Sequence, residues 1–203
     1  MTDGTFLGAG PVTPIPDDVV SSQQHALGLW PEIDAFVSGI DREITRVFLV
    51  GAGGSYLAMV PAQFLLDRHA VTPSVTMNSD EFFFRAPASV GPNSLVIVLS
   101  GTGNTPETIR AGHWASERGA AVAAVTLKAD GPLAQEIDVS FVSRSGQGSQ
   151  IALQLVALAI LKREGFDVSA ILDAFAALPE ALLSAMNEFE PRAAEIANDM
   201  KDV

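Results

Sequence analysis

The chain has 203 residues, 48% of them hydrophobic and 18% charged, which suits one well-packed α/β unit and excludes a chain disordered as a whole. Its 24 acids against 12 bases give a net charge of −12, which argues against nucleic acid as a partner, because backbone phosphates are met by Lys and Arg clusters. The absence of cysteine excludes disulfides and thiolate metal sites and fits a cytoplasmic location, and no uninterrupted apolar run reaches the ~18 residues of a bilayer span.

Residues 1–16 are rich in Gly, Pro and Thr and are expected to form a flexible arm. Asp17 and Asp18 open a helical segment over 17–40, which Pro31 should interrupt. Residues 47–50 read as a short buried strand, followed by a glycine-rich turn and a helix to about 68. Further strands are expected at 75–77, 95–99, 121–127 and 139–142. Between them come a loop at 78–80, one or two helical turns over 81–85, a helix over 106–118, and a turn at 131–134 into a short helix. The character then changes. Residues 150–164 are apolar on nearly all sides and should form a buried helix that Gly165 stops. A helix over 168–178 and, after Pro179, an amphipathic helix carrying Leu182, Leu183, Met186 and Phe189 should complete helices spanning 149–203.

Strands alternating with helices predict an α/β fold: a three-layer αβα arrangement on a five-stranded parallel sheet, with added N- and C-terminal helices. Residues 17–203 are expected to form a single domain. If the strand order is 2-1-3-4-5, the first and third strands are neighbours at the switch point and their C-terminal loops face one crevice.

Both loops are distinctive. The first reads Gly51-Ala52-Gly53-Gly54-Ser55-Tyr56. As a dinucleotide fingerprint it is weak: Tyr56 stands where the last glycine belongs, and Asp80 lies beyond the usual ~20-residue spacing of the ribose-binding acid. Glycines at such a turn also serve tight packing alone. The second loop reads Ser100-Gly101-Thr102-Gly103-Asn104-Thr105 and runs into Pro106, which suits a first helical turn. Asn104 or Thr105 could cap that helix. Free amides, hydroxyls and the positive end of the helix dipole make this loop an anion cradle.

Together the two loops resemble those of the sugar isomerase (SIS) domain family, which has a Gly-Gly/Thr-Ser loop after strand one and an S-x-S-G-x-T loop after strand three. Thr102 replaces the middle Ser and keeps the hydroxyl. The Glu81-Phe82 pair, the Asn104-Thr105-Pro106-Glu107-Thr108 run, the Pro132-Leu133-Ala134 turn and the helix containing Gln154 to Leu158 are similar to the branch of fructosamine-6-phosphate deglycases and of the isomerase half of glucosamine-6-phosphate synthase. The resemblance covers about residues 46–161. It implies a phosphosugar-binding domain with Ser55, Ser100, Thr102 and Thr105 as phosphate ligands, Gly53, Gly54 and Gly103 permitting close backbone approach, and Asn104 within the same loop.

The branch usually carries two such domains per chain, with a catalytic Glu from the second domain and a His from a neighbouring subunit. The chain is therefore expected to be the first of two, and its partner a second copy or a second SIS domain. Gly146-Gln147-Gly148-Ser149-Gln150 replaces the synthase's serine- and lysine-containing stretch, which puts synthase-like ring opening in doubt. Within the chain Glu81 is the best candidate base for moving a proton between C1 and C2, although an interface contact is the stronger reading of it. His25, His69 and His113 are scattered, no cluster has metal-ligand spacing, and neither a metal nor a cofactor is expected.

The favoured reading is the phosphosugar-binding unit of a cytoplasmic aldose–ketose isomerase or fructosamine-6-phosphate deglycase, homodimeric or larger through its apolar terminal helices. The alternatives are a non-catalytic sugar-phosphate sensor and, third, a dinucleotide-binding domain, which leaves residues 100–105 unexplained.

Overall fold

The computed structural model describes residues 15–200, so most of the expected arm, residues 1–14, lies outside the described residues. The strands are β1 Arg46–Gly51, β2 Ser74–Asn78, β3 Ser94–Ser100, β4 Ala121–Thr126 and β5 Ser140–Val142. All pair in parallel, in the order β2-β1-β3-β4-β5 expected from the sequence.

Side-chain alternation along the strands builds two apolar layers. Leu49, Ile97 and Val125 face one, and Phe48, Val98 and Ala124 face the other. The first layer is covered by α1 Val19–Leu27, α2 Trp30–Ser38, α4 Val60–His69 and α8 Gly146–Arg163. The second is covered by α5 Ser79–Arg85, α6 Pro106–Glu117 and α7 Pro132–Glu136. A short helix, α3 Gly54–Ala58, follows β1, and α9 Ser169–Asp199 lies against α1. Every residue of β3 is buried, as its unbroken apolar, mostly β-branched run predicts for a central parallel strand. α8 is buried from Ile151 to Leu161 except at Gln154, so its all-round hydrophobicity reflects a core helix enclosed by the sheet and α1, α2 and α4.

Prolines account for three differences from expectation. The N-terminal helical segment does break, but at Gly28; Pro31 instead sits in the first turn of α2. The expected single helix after β1 is two helices, because Pro61 lacks the N–H that would bond the Leu57 carbonyl. Pro179 does not separate two helices. α9 runs through it, with the ring buried and strong helix formers on both sides, Ala176-Ala177-Leu178 and Ala181-Leu182-Leu183. The Asp167 carboxylate accepts from the Ser169 N–H (3.0 Å) and hydroxyl (2.6 Å) at the start of α9, which holds its pKa below the usual carboxylate range.

α9 also contains an 18-residue window of mean hydropathy 1.4, long and apolar enough by composition to cross a membrane, a property that uninterrupted apolar runs do not reveal. Ile171, Leu172 and Phe175 lay its first turns on the core, while Phe189, Ile196 and Met200 remain exposed.

Leu155, fully buried in α8, is the anchor of the first layer. Leu155→Ala should lower the unfolding free energy by about 2–5 kcal/mol, and Ser184→Ala on the exposed face of α9 should change it by less than about 0.5 kcal/mol. Denaturant unfolding followed by circular dichroism measures both.

Candidate functional site

β1 and β3 are paired at the point where strand order reverses, with Gly51 beside Leu99, so the loops that follow them open into one crevice. In the β1 loop Gly53 has φ +55° and ψ −122°, a conformation open to glycine and costly for other residues. It turns the chain so that the Ser55 N–H donates to the Ala52 carbonyl (3.0 Å) and α3 begins at once. Gly54 has ordinary backbone angles, and a Cβ there would meet nothing within 4 Å. Its value lies in leaving the crevice open.

The β3 loop is wound around Ser100. This residue is 1% exposed, and its hydroxyl lies 2.8 Å from Thr105 Oγ1 and 3.3 Å from Thr102 Oγ1 while accepting the Gly103 N–H (3.1 Å). Thr105 occupies the N-cap position of α6 but makes no capping hydrogen bond, because its hydroxyl faces Ser100. The expected cap is therefore absent, and the first α6 amides are left without a side-chain acceptor from Thr105. Gly103 has φ +69°, and a Cβ on it would come within 3.1 Å of Thr126 Oγ1 and 3.2 Å of Lys128 Cβ. Its carbonyl accepts the Leu133 N–H (2.8 Å), which ties the loop to α7. Thr102 and Asn104 are exposed on the outer side.

The crevice itself is a cavity of about 140 Å³ lined by Gly54, Ser55, Ala58, Leu99, Gly101, Leu127, Gly146 and Ser149. The structure thus brings Gly54 and Ser55 to the same space as the start of the β3 loop. Gly53, Ser100, Thr102, Gly103, Asn104 and Thr105 are not among the residues that line it.

Gly146 and Ser149 were not among the expected site residues. The expectation began the buried helix at 150, but α8 starts at Gly146, with the Ser145 hydroxyl accepting the Gly148 N–H (3.0 Å). The sequence signal was Ser145 followed by a small-residue run, an N-cap in front of an apolar helix. The N-terminus of this 18-residue helix therefore contributes to the crevice.

Glu81 is not brought to this crevice. It lines a separate cavity of about 450 Å³ with Arg46, Tyr56 and Arg85, and it is ion-paired to Arg85. His25 bonds the Val142 carbonyl (2.9 Å) and His113 pairs with Glu136 (2.7 Å), so both have structural partners. No titratable side chain lines the 140 Å³ cavity.

The SIS domain family model matches residues 42–161, which spans both loops. The fructosamine deglycase FrlB of Bacillus subtilis is 41% identical over 111 residues, covering 52% of this chain and 33% of that protein. A glutamine–fructose-6-phosphate aminotransferase (isomerizing) of Pyrobaculum aerophilum is 28% identical over 187 residues, covering 87% of this chain and 31% of that protein. The chain thus spans about a third of the length of these curated relatives. A Bacillus subtilis crystal structure described as a phosphosugar isomerase superposes with a TM-score of 0.78 at 27% identity, covering 87% of this chain and 57% of that one.

Gly103→Ala should cost about 1–3 kcal/mol of stability, since it combines a left-handed backbone with a close contact to Thr126 and Lys128. Gly54→Ala, which meets neither obstacle, should stay within about 1 kcal/mol. Paired thermal and denaturant melts distinguish the two.

Proposed function

The chain belongs to the SIS domain family, and from that premise we propose that it binds the phosphate end of a sugar phosphate in the crevice between the β1 and β3 loops. The observation that carries the reading is the convergence of two glycine–hydroxyl loops and the N-terminus of α8 on one small cavity. Gly53, Gly54 and Ser55 supply one side; Ser100, Thr102, Gly103, Asn104 and Thr105 supply the other. The phosphate is held by amides and hydroxyls, within a chain whose net charge of −12 would otherwise repel it.

A cavity of about 140 Å³ is small beside the roughly 300–1,000 Å³ of sites that enclose a whole small ligand. It accommodates the compact anionic end and leaves the sugar carbons projecting outwards. Aldose–ketose isomerisation needs a base and an acid near those carbons, and proton transfers of this kind require no cofactor. The crevice lining offers no titratable side chain, and Glu81 is engaged elsewhere by Arg85. In this reading the chain is the phosphosugar-binding part of a cytoplasmic isomerase or fructosamine-6-phosphate deglycase. The proton-moving groups come from a second SIS unit, in the same polypeptide or in another copy. The same uncharged lining favours a second reading, a sensor that binds a sugar phosphate without converting it.

Calorimetric titration with fructose-6-phosphate tests the proposal. Ser100→Ala and Thr105→Val should each weaken binding at least ~10-fold, about 1.4 kcal/mol, with cooperative unfolding retained. Unchanged affinity in both variants overturns it. The 203-residue chain alone should turn the sugar over more slowly than ~1 per second. Faster turnover would place the proton-moving groups inside this chain.

A further inference from the structure

We infer that the cavity of about 450 Å³ beside β1 and β2 is a binding site for a small organic carboxylate with an apolar body. The cavity lies on the α5 side of the sheet, against Phe48 and Met77 of the second apolar layer. The crevice lies on the other side, against Leu99 of the first layer, and the two share no lining residue. At this size the cavity falls within the roughly 300–1,000 Å³ of sites that enclose a small molecule. Its outer wall is held by an uncommon backbone turn. Ala86, just past α5, has φ +44°, the one positive φ of a non-glycine among the described residues. It carries the chain from Arg85 to Pro87 and Ser89, which complete the lining. A strained residue of this kind is expected where a chain is shaped around a ligand.

Arg46 supplies the charge. Its side chain makes no hydrogen bond and no ion pair among the described residues, and its Nε is buried without an acceptor. The ring of Phe48 lies 5.7 Å from its Cζ, so the guanidinium is backed by an aromatic ring and has no anion beside it. Glu81 does not fill that role, because its carboxylate is paired with Arg85. Two arginines against one glutamate leave the cavity one positive charge, in a chain whose net charge is −12. A partly desolvated cation without a partner is costly, and the planar guanidinium fork is the shape that grips a carboxylate through two parallel bonds.

The balance of charge and surface selects the ligand class. A single unpaired cation matches one carboxylate better than a phosphate monoester, which carries nearly two negative charges near neutrality. Phe48, Met77 and Pro87 offer hydrocarbon contact to the rest of the molecule. The hydroxyls of Tyr56 and Ser89 have no hydrogen-bond partner among the described residues and can orient one further polar group. The inference does not rest on the sugar-phosphate reading, since cavity and crevice use different residues.

Tyr56 is the single tyrosine of the chain, so incorporating 3-fluorotyrosine places one fluorine resonance at the cavity. Titrating the labelled 203-residue chain with 3-phenylpropionate should shift that resonance saturably, with a Kd below ~1 mM. 3-Phenylpropanol, which has the same body without the charge, should bind at least ~10-fold more weakly. Arg46→Met should weaken the carboxylate at least ~10-fold and leave the alcohol unchanged. Ser89→Phe, at an exposed position, should obstruct the cavity and weaken both. Circular dichroism melts of both variants should remain cooperative. No saturable shift up to ~10 mM overturns the inference, as does equal binding of the alcohol and the carboxylate by the unaltered chain. So does a carboxylate affinity that both variants leave unchanged. Fructose-6-phosphate should not displace 3-phenylpropionate; displacement would make this a phosphate site and overturn the inference, whereas Ser100→Ala and Thr105→Val read the crevice independently.

Discussion

A buried hydroxyl has to find a partner, and at the end of β3 that requirement shapes the whole site. The strand is enclosed on both faces along its full length, and its last residue, Ser100, is as inaccessible as the valines before it. Leaving such a group unsatisfied would cost about 1–3 kcal/mol. Ser100 meets the demand within its own loop, through Thr105, Thr102 and the Gly103 amide. The chain must therefore curl back over the strand end before α6 can begin. Sheet burial, a global property, thus dictates the path of six loop residues.

The same bonding explains why the cradle is uncharged. In the proposed reading, amides and hydroxyls receive the anion in a chain with twice as many acids as bases without a cluster of cations in a tight turn. Ser55 and the start of α8 face the cavity across from Gly101, so three separate segments share the task. None of them carries a group that changes protonation near neutrality. In the proposed reading binding and proton transfer are separated in space, as expected where a second unit covers the outward-facing part of the ligand.

The sheet was legible because its strands are short apolar runs that alternate with helical segments, an alternation that implies a parallel sheet. The two loops were legible for the same reason: each sits where an apolar run stops. Proline was less informative. Pro61 splits a helix where one was expected, and Pro179 fails to split another, since local composition and burial of the ring decide between the two outcomes. Thr105 looked like a cap because the residue type and position are right for one; only the nearness of buried Ser100 redirects it. Gly146 and Ser149 were missed because a glycine-rich stretch reads as a loop until Ser145 is recognised as the start of α8. The position of Glu81 after β2 suggests the site, yet it is ion-paired with Arg85 and lines a different cavity.

The contact behind the β3 loop has a consequence for timing. Gly103 is pressed against Thr126, Lys128 and Gly131 and is bonded to Leu133, so the loop has little freedom to close over a ligand or to open away from it. A wall built in advance demands little ordering on arrival. It also offers no latch on departure. If a sugar phosphate binds at this wall as proposed, its exchange should be governed by encounter and simple escape, and any long residence time set by whatever closes the open side.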